Sequence, residues 1–232
     1  MAVKTAKKRI FGIALLVTVV LLAGIIYSNT VLNDKREEAV LGRMNDIVQE
    51  YEEMQTLFFL SDFFGEESTC IALESMLASM NKDLWDLGIK IDSYRQASEE
   101  IAESPFYFEQ KKHFNQRAVL YFSMLKRLKR MCDVNQTIMT FYYENKEDCP
   151  DCDPQSFVLT DIRRDLEDLG RGQELALFSF DAELDLPSVD LLMRHYNFSQ
   201  LPCMVIEEES FCGLHNKKEL KKILCKNASL CY

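Results

Sequence analysis

The stretch Thr137-Ile-Met-Thr-Phe-Tyr-Tyr143, followed by Cys149-Pro150-Asp151-Cys152, decides the fold of this chain. The first seven residues are β-branched, apolar or aromatic, which predicts a buried strand. A helical pattern follows from about 154 to 169 and ends at Gly170 and Gly172. The sequence therefore predicts a strand and a helix joined by a loop, with two cysteines at the start of the helix.

The alternation of strands and helices continues to the C-terminus. A second strand, a helix that Pro187 introduces, two short strands split by three glutamates and a closing helix are predicted at 174–180, 188–196, 203–206, 210–213 and 217–224. The predicted order after residue 135 is thus strand, helix, strand, helix, strand, strand, helix.

This order, with a Cys-x-x-Cys between the first strand and the first helix, resembles the thioredoxin fold. In that family a cis-proline precedes the strand after the second helix and packs against the dithiol, and Leu201-Pro202-Cys203 stands at that place. The resemblance covers about residues 135–227. It implies that Cys149 exchanges disulfides with a substrate, that Cys152 resolves the mixed disulfide, and that Pro202 shapes the substrate groove.

The chemistry of such a dithiol depends on the thiolate, which is the nucleophile. A cysteine at a helix N-terminus lies at the positive end of the helix dipole, which lowers its pKa. Here, however, four acidic residues surround the pair, and nearby negative charge opposes thiolate formation. These residues are Glu147, Asp148, Asp151 and Asp153. We therefore expect an exposed, polar dithiol with a less acidic Cys149 and a weaker oxidising power than in strongly oxidising relatives.

The chain also departs from thioredoxin itself in two places: Asp148 stands where thioredoxin has a tryptophan, and no acid lies in the predicted strand at 137–143. Two other roles for Cys149 and Cys152 therefore stay open. They could bind zinc together with Cys203 and Cys212, although the spacing does not indicate this. They could instead form a structural disulfide in a binding module without turnover. The sequence predicts no metal and no cofactor, and contains no phosphate-binding or hydrolase motif.

All eight cysteines follow the N-terminal apolar segment, which indicates an oxidising compartment. Cys70 and Cys132 fall at the start of one predicted helix and at the end of the next, so they are a candidate disulfide. Cys203 is symmetric with Cys212 about a predicted hairpin turn, although it could also pair with the dithiol. The remaining candidate pair is Cys225 with Cys231.

The N-terminus predicts a membrane anchor. A basic tip, residues 1–9, precedes an apolar segment at 10–30 that is close to the length needed to cross a bilayer as a helix. The basic flank predicts a cytoplasmic N-terminus, with the bulk of the chain at the cell surface, in the periplasm or in the endoplasmic reticulum lumen. A cleaved signal peptide is the alternative, but the segment is long for one and lacks a clear cleavage site.

A helical domain is predicted over 34–134, with helices at about 34–60, 68–94 and 108–131. In the first, apolar residues recur at spacings of four and three: Val40, Met44, Ile47, Tyr51, Met54 and Phe58. This pattern predicts either an amphipathic helix packed on its neighbours or a coiled coil that forms a homodimer. A basic cluster in the third helix predicts a solvated face or contact with anionic headgroups. Its members are Lys126, Arg127, Lys129 and Arg130.

The sequence as a whole therefore predicts an α+β protein with an anchor, a helical domain at 34–134 and a thioredoxin-like domain at 135–232. The formal net charge of −10 argues against nucleic acid as a partner. The first functional hypothesis is a membrane-tethered thiol:disulfide oxidoreductase that acts on protein thiols and disulfides outside the cytosol. The second is a redox-inactive thioredoxin-like binding or assembly subunit of a membrane complex.

Overall fold

The computed structural model describes residues 2–95, 103–145 and 147–232, and it shows an α+β protein. The described helices before the sheet are α1 (Ala2–Phe64), α2 (Glu66–Arg95) and α3 (Pro105–Cys132). They are followed by β1 (Thr137–Tyr143), α4 (Cys152–Asp168), β2 (Leu175–Asp181), α5 (Pro187–His195), β3 (Cys203–Ile206), β4 (Glu209–Cys212) and α6 (Lys217–Ala228). Short 3-10 turns at Gly172–Glu174 and Ala182–Leu184 flank β2. The predicted order of strands and helices after residue 135 is present.

The residues up to Arg43 form a unit of their own, built from the first part of α1. This part contains an apolar stretch long enough to cross a membrane, and its side chains, such as Leu16, Leu21 and Ile26, are exposed. The sequence predicted a membrane helix at 10–30 and a helix leaving the membrane at 34–60, and α1 spans both without a break. The physical reason is that no proline interrupts this region, so the backbone hydrogen bonds of the helix need not break.

Residues 44–232 form one compact unit around a four-stranded mixed sheet. The strand order is β2-β1-β3-β4, with β1 parallel to β2 and the other two pairs antiparallel. Tyr143 lies opposite Asp181 on β2, and Tyr142 lies opposite Cys203 on β3. The ends of β1 and β2 and the start of β3 therefore share one edge of the sheet, which we call the carboxyl edge.

Both faces of the sheet are covered. Helices α4 and α6 pack on one face around a core of Met139, Phe141, Leu159, Ile162, Leu166, Leu175, Met204, Ile206, Leu220, Leu224 and Leu230. Helix α3 covers the other face through aromatic contacts: the ring of Phe178 on β2 lies 5.4 Å from that of Tyr121 and 5.8 Å from that of Phe122, measured between centroids. Aromatic pairs at this spacing add stabilisation beyond the area they bury.

The helical region is joined to the sheet by specific polar contacts. The Tyr121 hydroxyl donates to the Leu77 carbonyl at 3.0 Å, which ties α3 to α2, and Asn81 on α2 donates to the Leu175 carbonyl on β2 at 3.3 Å. The sequence predicted two domains with a boundary between 134 and 135. In the structure α2, α3 and the sheet lie in one compact unit, residues 44–232, and a domain boundary between 134 and 135 stays a prediction.

The apolar seam of α1 is buried within the single chain at all six positions that the sequence singled out. One contact in this region is made by Arg127 of α3, whose guanidinium lies 4.8 Å from the ring centroid of Phe58. This burial agrees with the alternative in which the segment is an amphipathic helix packed on neighbouring helices of the same chain. A homodimer through residues 34–60 stays a prediction.

Two lysines of the basic cluster hold the turn between β3 and β4. Lys129 Nζ donates to the Glu207 carboxylate at 2.6 Å and to the Gln136 carbonyl at 2.8 Å. Lys126 Nζ donates to the Glu207 carbonyl at 3.1 Å and pairs with the Glu208 carboxylate. These two lysines therefore anchor α3 to the β3–β4 turn, a contact that the sequence pattern did not predict.

The structure contains the disulfide between Cys70 and Cys132, whose partners are 62 residues apart, and the disulfide between Cys225 and Cys231, which are 6 residues apart.

Closing a longer loop restricts the unfolded chain more. Replacing Cys70 and Cys132 together by alanine is therefore expected to lower the free energy of unfolding by about 4 kcal/mol, against about 2 kcal/mol for Cys225 and Cys231. Guanidinium unfolding of the full chain in detergent measures both, and a larger loss from the second pair would contradict this account.

Candidate functional site

The candidate site is the disulfide between Cys149 and Cys152 at the start of α4, with a Cα–Cα distance of 5.4 Å. The Cys152 N–H donates to the Cys149 carbonyl at 3.1 Å, which forms the tight turn before the helix. The Cys149 N–H donates to the Asn145 carbonyl at 2.9 Å, so the turn is also fixed to the segment that leaves β1. The loop from the carboxyl edge thus delivers both sulfur atoms to the N-terminus of a helix.

The expectation of an exposed dithiol was wrong, because Cys149 and Cys152 are each only 2% exposed. Cys152 lines a cavity together with residues of α2 and α3, such as Trp85 and Phe114. The helical layer therefore shields this end of the molecule. The sequence suggested exposure because charged residues flank the pair, but charges on the loop and in the first turn of α4 do not report how the other helices pack.

The two other cysteines considered as zinc ligands are joined to each other. Cys203 and Cys212 lie opposite one another on β3 and β4 and form a disulfide. Among the described residues, no group of three or more His, Cys, Asp or Glu side chains is arranged to hold a metal ion. All eight cysteines of the chain are paired, in the combinations that the sequence favoured.

Pro202 lies at the carboxyl edge, directly before β3, and the Leu201–Pro202 peptide bond is cis. Its carbonyl accepts a hydrogen bond from the Gly213 N–H at 2.8 Å, and its side chain is buried. Because β3 starts where β1 ends, the proline and the dithiol loop leave the sheet at the same edge. Packing of Pro202 against the dithiol, which the thioredoxin resemblance implied, stays a prediction.

An acidic turn precedes the dithiol and is organised by Asn145. The Asn145 carboxamide oxygen accepts the N–H groups of Glu147 and Asp148 at 2.7 and 3.1 Å, and its amide group donates to Asp148 and to Glu183. Burial raises the pKa of the neighbouring Glu144, and the negative charges of Glu183 and Asp148 raise it further. Negative charge is therefore concentrated beside the disulfide, as the sequence predicted, with Glu144 and Glu183 added to the expected residues.

A buried ion pair between Lys111 of α3 and Asp181 of β2 lies on the same cavity. Asp181 is only 1% exposed, and its backbone N–H donates to the Asn115 side chain at 2.9 Å. Burial opposes the charged form of Lys111, but the neighbouring Tyr143 and Asp181 outweigh it and raise the lysine pKa. Burial also raises the pKa of Tyr143 itself. This pair fixes α3 to the carboxyl edge next to the candidate site.

Sequence reasoning missed Lys111, Asn145 and Asp181. Asp181 carried a usable signal, since an acid directly after an apolar strand falls at the carboxyl edge. Asn145 had a weaker one, because asparagine favours turns that its side chain can bridge. Lys111 had none, since a lysine on an amphipathic helix is usually solvated.

Replacing Asp181 by asparagine would remove the buried carboxylate that pairs with the partly buried Lys111 cation. We expect the free energy of unfolding to fall by about 3 kcal/mol or more. A second change, Lys111→Met, should recover part of the loss. The exposed pair of Asp92 and Arg95 serves as the matched control, and Asp92→Asn should cost less than about 1 kcal/mol. Equal losses from Asp181→Asn and Asp92→Asn in guanidinium unfolding would contradict the role of burial.

Removing charge from the acidic turn should make the disulfide easier to reduce. Asp148→Asn removes a negative charge that opposes the thiolate of the reduced state, so the reduction potential is expected to become less negative by about 10–20 mV. Asp168→Asn, at the far end of α4, is the control and should leave the potential unchanged. Equilibration with dithiothreitol buffers followed by alkylation and mass spectrometry measures both. A more negative potential in Asp148→Asn would exclude this electrostatic effect.

Comparisons with protein-family models, with curated proteins and with solved structures find no match for this chain. A functional proposal therefore depends on the residues and the geometry of the chain itself.

Proposed function

We propose that this chain is a membrane-tethered thiol:disulfide oxidoreductase with a thioredoxin-like domain, acting on protein thiols and disulfides outside the cytosol. The observation that carries the proposal is the Cys149–Cys152 disulfide at the start of α4, in the connection that leaves the buried strand β1. A pair three residues apart can cycle between dithiol and disulfide with only local movement. A helix N-terminus stabilises the thiolate that the reaction requires.

The surrounding architecture supports this proposal. The order of strands and helices after residue 135, the disulfide between the first strand and the first helix of that order, and the cis-proline before β3 support the thioredoxin-like part of the proposal. The apolar helix supports tethering, and the basic residues Lys7, Lys8 and Arg9 in front of it favour a cytoplasmic N-terminus by the positive-inside rule. The additional disulfides fit an oxidising compartment.

The burial of both cysteines favours a second candidate function. A disulfide that solvent does not reach can be purely structural, and the domain would then be a redox-inactive binding or assembly subunit. The acidic turn also favours this alternative, because it destabilises the thiolate. The two functions differ in a single observable property, which is whether the Cys149–Cys152 pair can be reduced and reoxidised while the other disulfides stay intact.

The test is a redox titration of the full chain in detergent micelles. Reduced and oxidised glutathione or dithiothreitol set the potential, and mass spectrometry after alkylation reports each of the four disulfides separately. An oxidoreductase is expected to show a Cys149–Cys152 potential between about −120 and −270 mV, with the other three pairs still oxidised. Turnover of insulin or of a scrambled protein should be present, should be lost in Cys149→Ser, and should persist when Cys225 and Cys231 are both replaced.

A Cys149–Cys152 pair that stays oxidised below about −300 mV, without turnover, would overturn the oxidoreductase and support the assembly subunit.

A further inference from the structure

Three asparagines of the chain stand in the pattern Asn-x-Ser/Thr, which is the acceptor sequence for N-linked glycans in domains outside the cytosol. They are Asn135, Asn197 and Asn227, followed two residues later by Thr137, Ser199 and Ser229. The pattern is short and recurs by chance, so by itself it does not distinguish the three. The structure distinguishes them because each lies in a different kind of backbone.

A folded chain can be glycosylated only where the transferring enzyme reaches the acceptor. The asparagine side chain receives the sugar, and the hydroxyl two residues later is part of the pattern that is recognised. Both side chains therefore have to be exposed. The segment also has to lie outside helices and sheets, because the enzyme would otherwise have to break their hydrogen bonds first.

The first acceptor sequence fails on its hydroxyl. Asn135 is exposed, but Thr137 is the first residue of β1 and only 6% exposed. It pairs with Leu175 on β2, and β1 lies between β2 and β3 in the sheet. Glycosylation of Asn135 would require the start of a central strand to leave the sheet.

The third acceptor sequence fails on its amide. Asn227 is a half-buried residue in the last turn of α6. Its Nδ2 donates to the carboxylate of Glu209 on β4 at 2.6 Å. The nitrogen that would bond to the sugar is thus held in a hydrogen bond, and the backbone around it is helical.

The second acceptor sequence meets both conditions. Asn197 lies in the turn after α5, in the left-handed region with a φ of 54°, which asparagine tolerates better than most residues. Asn197 and Ser199 are exposed, and in the described part of the chain the Asn197 side chain makes no hydrogen bond. Phe198 between them packs on Tyr142, with 4.8 Å between ring centroids. The ring fixes the turn and leaves the two polar side chains accessible.

We infer that Asn197 is an N-glycosylation site, and that it is the acceptor which the folded chain offers while Asn135 and Asn227 are protected. The inference goes beyond the redox chemistry of the proposed function. It rests on one part of that proposal, the location of the sheet domain outside the cytosol.

The donor is an oligosaccharide joined through a diphosphate to a membrane lipid. A bond forms between Asn197 Nδ2 and C1 of the first sugar, and the bond between C1 and the diphosphate oxygen breaks. The lipid diphosphate leaves with the electron pair, and a base of the transferring enzyme takes the amide proton. No oxidant or reductant is needed.

The test compares the folded and the unfolded chain. The full chain in detergent micelles is incubated with a purified oligosaccharyltransferase that recognises Asn-x-Ser/Thr and with its lipid-linked oligosaccharide. A second sample is first reduced, alkylated and unfolded, so that all three acceptor sequences become accessible. Mass spectrometry of peptides gives the glycan occupancy at each asparagine. The ratio of folded to unfolded occupancy then reports the effect of structure and removes the preference of the enzyme for threonine or serine.

We expect this ratio to be at least about tenfold higher at Asn197 than at Asn135 or Asn227, because the other two require local unfolding. Equal ratios, or a higher ratio at either of the others, would overturn the inference. An Asn197 that is modified in neither sample would overturn it as well. All three of these results would leave the oxidoreductase in place.

Two matched variants check that the acceptor pattern is the cause. Ser199→Ala keeps Asn197 and should abolish glycosylation of the folded chain, because it removes the exposed hydroxyl of the pattern. Ser229→Ala removes the corresponding hydroxyl of the Asn227 sequence and should leave the folded chain as modified as the parent. Modification of Asn197 that persists in Ser199→Ala would contradict recognition through this pattern.

Translation of the full chain in the presence of endoplasmic reticulum microsomes tests the location separately. A glycan at Asn197 supports both the site and a domain on the lumenal side. A chain that is glycosylated at Asn197 in detergent but at no position in microsomes has its domain on the cytosolic side. That result would overturn the location in the proposed function and, with it, this inference.

Discussion

The packing of α3 against β2 is the contact on which the rest of the structure depends. Tyr121 and Phe122 cover Phe178, and this aromatic layer joins the helical region to the sheet. Without it, the Phe178 face of the sheet would lose its main aromatic cover, and Lys111 would lose its position beside Asp181. The same contact places α2 and α3 over the dithiol, so the site and the core are consequences of one interface.

Much of the fold could be predicted from the sequence because its signals are local. The β-branched strand at 137–143, the cysteines three residues apart and the proline at 202 each report on their own segment, and their order along the chain was enough to arrange them. The disulfide between Cys70 and Cys132 followed from the geometry of an antiparallel helix pair. In each case the residues that determine the feature are near one another in the sequence or lie on helices joined by a short turn.

What could not be predicted depends on packing between distant segments. The burial of Cys149 and Cys152 and the roles of Lys126 and Lys129 come from contacts between segments that are far apart in the sequence. An amphipathic pattern shows that a helix has a buried face, but it does not show which surface covers that face. A charged loop beside a cysteine likewise predicts the local electrostatics, but it does not predict whether the cysteine is accessible to solvent.

Two effects act on the dithiol in opposite directions, and their balance decides what the protein can do. The start of α4 favours the thiolate, whereas the acidic turn around Asn145 and the low exposure of both sulfur atoms oppose it. A pair in such surroundings should react poorly with small thiols, which make few contacts with the walls of the cavity. Under the proposed function, contacts with a bound polypeptide would offset this barrier, because they would hold a substrate cysteine next to the disulfide. Low intrinsic reactivity and strong dependence on substrate binding would then have the same structural origin, namely the helical layer over the carboxyl edge.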